Sequence, residues 1–172
     1  MVSHRLAQGN DMAPERLATR IREAIDHVQG RREQLVLVVG PAGSGKTAAL
    51  LALERADNYP YRSLGLEVSQ RLLAVPTRRR PYEAERVVVD VVAEAPGPVI
   101  LLDNIELLFD RSLALHPLNL LQQHSRNVIV VAAWTGQVEA GLLTYAAPGH
   151  REYRRYPIDG TVVVDAQNDG EG

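Results

Sequence analysis

The sequence predicts an α/β fold built on a doubly wound, mostly parallel five-stranded sheet, and three observations predict it. Short apolar runs begin near residues 35, 61, 99, 128 and 161 and alternate with helix-forming stretches, which is the order of βα units. The first run, Leu35 to Val39, enters Gly40-Pro41-Ala42-Gly43-Ser44-Gly45-Lys46-Thr47, which fits G-x-x-x-x-G-K-S/T in full, and the helix-forming AALLALERA follows at once. The third run, Val99 to Leu102, ends in Asp103, far enough downstream for a helical crossover. A strand, a P-loop (Walker A) and a helix, then an apolar strand ending in aspartate (Walker B), describe a P-loop NTPase core. An extra strand between the P-loop and Asp103 points to the ATPase branch, an ASCE or AAA+-like core. With few residues after the last strand, the expected core is one without a helical lid domain.

A length of 172 residues suits a single domain, 1–172, with a substantial core. Hydrophobic residues at 45% and charged residues at 23% fit a soluble globular chain. The net charge of −2 gives no global case for a nucleic-acid binder, although a local basic patch stays open. The absence of cysteine excludes disulfides, thiolate metal sites and a cysteine nucleophile. No run reaches the ~18 apolar residues of a membrane span, and MVSHRLAQGNDMAPERL has no signal-peptide core. The expectation is a cytoplasmic protein with no membrane partner.

Residues 1–12 are polar and expected to be loose. From Pro14, Leu17, Ile21, Ile25 and Val28 recur at helical spacing with Gly30 beyond them, predicting an amphipathic helix beside the first strand. Strand one covers 35–39 and the next helix 46–56. After Asp57, Asn58 and Pro60, a second strand is expected over 61–68, then a short helix over 70–74 and a proline-bounded loop over 76–81. Val87, Val88, Val91 and Val92 keep helical spacing within 82–94, against the preference of their β-branching. The leucines of 105–124 predict helix broken near Pro117, and neither His116 nor His124 is expected to do chemistry. Another buried strand, 128–133, ends at Trp134-Thr135-Gly136, and a last one spans 161–164. Residues 169–172 read as a frayed end.

The octapeptide has a mechanism. Gly40, Gly43 and Gly45 let the backbone turn its N–H groups inward around phosphates, with Pro41, Ala42 and Ser44 completing the loop. The helix starting near Lys46 adds its positive end. Lys46 reaches the β- and γ-phosphates, while Thr47 and Asp103 hold Mg2+. Lys46 is also the only lysine in the chain. Guanine-specific P-loop proteins use a second lysine to read the base, so ATP is expected over GTP. The position directly after Asp103 is Asn104, so Glu106 is the nearest candidate for the base that activates water. Thr135, at the tip of the neighbouring strand, is a candidate γ-phosphate sensor. In the tail, Arg151, Arg154 and Arg155 interleave with Tyr145, Tyr153 and Tyr156. With Arg126 they are candidates for an arginine finger across a subunit boundary or for DNA contact; an exposed amphipathic segment is the plain alternative.

Beyond the P-loop, the segments YPYRSLGLEVSQRLL, VILLDNIELLFD, HPLNLLQQHSRN, VVAAWTG and LTYAAPGHREYRRY resemble the BrxF family, small P-loop proteins of type 3 BREX bacteriophage-defence systems. The resemblance covers most of the chain, and SLGLE, LLDNIE and TYAAPGHREYRRY are its specific part. It implies that Gly40 to Thr47 and Asp103 form a nucleotide site. It also implies a bacterial antiviral role beside a methyltransferase, a helicase-like protein and other BREX subunits. The leading expectation is an ATP-binding, ATP-hydrolysing subunit of such a complex, working as a homo-oligomer or with partners. The alternative is a nucleotide-gated module that binds DNA or a partner and hydrolyses little. A small-molecule kinase, with Arg78 to Arg80 in a lid and Glu67 near the acceptor, is the third reading.

Overall fold

The computed structural model describes residues 5–168. Its elements are α1 (Arg5–Val28), β1 (Leu35–Gly40), α2 (Lys46–Asp57), β2 (Tyr61–Ser63), α3 (Leu64–Leu72), α4 (Arg80–Ala93) and β3 (Val99–Asp103), then α5 (Pro117–His124), β4 (Ile129–Glu139), β5 (Leu142–Tyr145), β6 (Arg154–Pro157) and β7 (Val162–Asp165). Parallel strands run in the order β2-β3-β4-β1-β7. β5 and β6 extend the far half of β4 as an antiparallel ribbon.

The strands of the centre are buried on both faces, so they read as continuous apolar runs instead of alternating ones. Successive residues still divide between two cores. Val36, Val38, Leu101 and Val131 pack with α1 and α2, whereas Leu35, Leu37, Leu102 and Val130 pack with α3, α4 and α5. The result is an α/β fold whose mostly parallel sheet is flanked by helices.

Several elements differ from the sequence reading. Among the described residues the sheet has seven strands, not five, because β4 runs on past Trp134 to Glu139 and folds back into β5 and β6. Trp134 anchors that ribbon: its indole N–H donates to the Thr144 carbonyl at 3.0 Å. Tyr145 stacks on Phe109 with ring centroids 3.6 Å apart, and Tyr156 meets Trp134 edge-on at 5.9 Å. These two tyrosines are therefore packing residues, not platforms for bases; burial pushes the Tyr145 phenol up to about 12. The second strand ends at Ser63, and residues 64–72 are helix. Instead of a helix broken at Pro117, residues 105–113 form two 3-10 turns and Pro117 opens α5, the position where a missing N–H costs nothing. Residues 5–12, read as loose from their polarity, are the first turns of α1, which passes through Pro14. Polarity alone does not separate a helical extension from a loop. The frayed end, 169–172, lies outside the described residues.

Candidate functional site

Register brings residues of four neighbouring strands together at the carboxyl edge of the parallel sheet. Gly40 pairs with Thr135, Ser63 pairs with Asp103, and β4 lies between β1 and β3. Loop 40–47, Thr135 and Asp103 therefore converge above the middle of the sheet, where parallel α/β folds leave a crevice.

The loop passes into α2 through Gly45, whose φ of 91° is left-handed. A side chain there would cost about 1–2 kcal/mol. Lys46 is buried, 7% exposed, and its ammonium donates to the carbonyls of Gly40 and Pro41 at 2.7 Å each and to the Ser44 hydroxyl at 3.3 Å. Burial holds this ammonium below its ordinary pKa, and the charges of Glu106 and then Asp103 push the other way.

Asp103 is buried as well, with three donors on its carboxylate. Oδ1 accepts from the Asn104 N–H at 2.9 Å; Oδ2 accepts from the Thr47 hydroxyl at 2.7 Å and from the Tyr61 phenol at 2.8 Å. Burial, then the bond to Asp103, holds the Tyr61 phenol well above the ordinary tyrosine range, so it is a donor at neutral pH. Asn104 takes a left-handed conformation, φ 52°, and its amide donates to Ser63 Oγ at 2.8 Å. That reversal swings the following 3-10 turn back over the strand tips. Glu106 consequently faces the crevice and accepts from the Thr135 hydroxyl at 2.8 Å.

Ala42, Gly43, Lys46 and Thr47 line one side of a cleft of about 540 Å3, with Asp103, Glu106 and Thr135 on the other. Its size is that of a small-ligand site. One ammonium and the unpaired amides of a helix start suit a phosphate chain, while Thr47 and Asp103 offer hard oxygens for a divalent cation. Among the described residues no group of three or more His, Asp or Glu side chains could hold a metal. A cation here would complete its shell with phosphate and water, which is the habit of Mg2+.

The arginines do not join this site within one chain. Arg126 precedes β4 at the opposite edge of the sheet and pairs with Glu33 at 3.6 Å. Arg151 and Arg155 are exposed on the turn before β6 and on β6 itself, and Arg154 lines a separate cavity with His116 and Tyr156. The Arg78 to Arg80 segment is also not a free lid. Arg79 pairs with Glu83, and Arg80 Nε caps the end of α3 through the carbonyls of Leu72 and Val75.

Sequence reasoning missed Tyr61. It stands two residues before Ser63, on a strand whose pairing with β3 no local pattern announces. It also missed the β4–β5 ribbon, which walls a second cleft of about 450 Å3 reaching the first through Ala42 and Thr135.

No protein-family model matches the chain, and no curated protein matches it. Among the described residues no helix is long and apolar enough to cross a membrane.

Proposed function

We propose that the protein is a P-loop ATPase that binds ATP with Mg2+ at the carboxyl edge of its sheet. The observation that carries this reading is the bond from Thr47 to Asp103, which joins the end of the glycine-rich loop to the tip of β3 beside the buried Lys46. In this reading Lys46 exchanges the carbonyls of Gly40 and Pro41 for the β- and γ-phosphate oxygens. Thr47 and Asp103 hold the cation, which when bound would neutralise charge on the phosphates. Glu106, aimed by Thr135, takes a proton from water as it attacks the γ-phosphorus; the bond to the β-bridging oxygen breaks and ADP and phosphate leave.

The resemblance to the BrxF family supports a place in a cytoplasmic BREX phage-defence assembly, as a homo-oligomer or with its partners. With Lys46 the only side-chain cation lining the cleft among the described residues, a second positive side chain for the transition state would come from a neighbouring subunit, for which Arg126, Arg151, Arg154 and Arg155 are the candidates. A second reading, a nucleotide-gated DNA- or partner-binding module with little hydrolysis, is favoured by Asn104 standing where a carboxylate would follow Asp103. ATP binding by calorimetry, beside phosphate release, separates the two. The ATPase reading expects Mg2+-dependent binding and turnover, both lost in Lys46→Ala, and full ATP affinity in that variant would overturn it.

A further inference from the structure

We propose that Tyr61 sets the metal preference of the site by denying a bound cation bidentate coordination by Asp103. The inference rests on the nucleotide reading above. An ionised carboxylate has about four acceptor positions, and on Asp103 three are taken. Thr47 and Tyr61 fill Oδ2, and the Asn104 N–H takes half of Oδ1. Bidentate coordination therefore has no free pair of oxygens.

That constraint separates two common cations. Ca2+ gathers carboxylate oxygens directly and tolerates irregular shells, whereas Mg2+ keeps several waters in an octahedron and asks a protein for few direct ligands. Thr47 donates its proton to Asp103 and keeps an oxygen lone pair for the metal, so it serves either ion. The Tyr61 hydroxyl has no such second use. It comes from β2, held to β3 in register, and its ring packs against the core shared by α1 and α2, so its position does not depend on the loop. Removing the hydroxyl alone opens one position on Oδ2 and leaves the ring packing in place. Tyr61 is a positioning residue that acts through Asp103.

The test is calorimetric titration of ATP into the full chain and into Tyr61→Phe, with EDTA, Mg2+ or Ca2+, and with thermal melting to confirm equal folding. Wild type is expected to bind ATP more tightly with Mg2+ than with Ca2+. In Tyr61→Phe the ratio of the two affinities falls roughly ten- to a hundredfold, the worth of one hydrogen bond to a charged group. A ratio unchanged in the variant, with Mg2+-dependent binding intact, overturns the role of Tyr61 alone. Equal support by Mg2+ and Ca2+ in wild type does the same. Binding that ignores both cations in wild type overturns the metal site, and this inference with it.

Discussion

Glu106 and Lys46 face each other across the cleft but fail differently when replaced. Glu106→Gln keeps the bond from Thr135, since an amide oxygen also accepts, and removes only the basicity. Phosphate release should fall about 10²- to 10⁴-fold with ATP affinity unchanged, which calorimetry on the same sample checks. At this scale the loop and Asp103 were legible because each is a contiguous local pattern at a strand tip. Tyr61 was not. Its contact with Asp103 exists only because β2 pairs with β3, and a tyrosine near the start of a short strand carries no mark of that.

The turn from β2 into α3 is the element on which the Asp103 region leans. YRSLGLEV reads as a strand by composition, yet α3 begins at Leu64, and the chain after Asp103 passes close to Gly65. The Gly65 N–H donates to the Asn104 carbonyl at 2.9 Å, and a Cβ on Gly65 would sit 2.5 Å from that oxygen. Gly65 was the available signal. Gly65→Ala should destabilise the fold by roughly 1–3 kcal/mol and weaken ATP binding along with it, both measurable by melting with and without nucleotide.

A pH effect belongs to α5. Burial lowers the His124 imidazole below its ordinary value, with Glu85 acting the other way. The unfolded chain then holds this proton at higher pH than the folded one, so its contribution to stability is complete above the ordinary histidine range and declines as pH falls through it. The melting temperature should drop below about pH 6.5, and less steeply in His124→Gln. The long leucine-rich run of 105–124 concealed that helix behind two 3-10 turns. Side-chain spacing could not register them, since their turns depend on the left-handed Asn104 and Ala114.

At the scale of the whole molecule, the strand order explains why residues distant in sequence meet. β4 inserted between β1 and β3 sets Thr135 beside Gly40. The alternation of apolar runs and helices made the parallel sheet legible. The β4–β5–β6 ribbon was hidden because Arg154 to Pro157 reads as a charged tail until Tyr145 and Tyr156 are seen against Phe109 and Trp134. All four candidate arginines stand clear of the site, so under the ATPase proposal a neighbouring copy would have to supply one. The most direct test of the central claim is ATP turnover per subunit over a wide range of protein concentration, with Lys46→Ala as control. A rate above the control that climbs with concentration, as neighbouring subunits complete the site, is the expected result. A rate equal to the control at every concentration would contradict it.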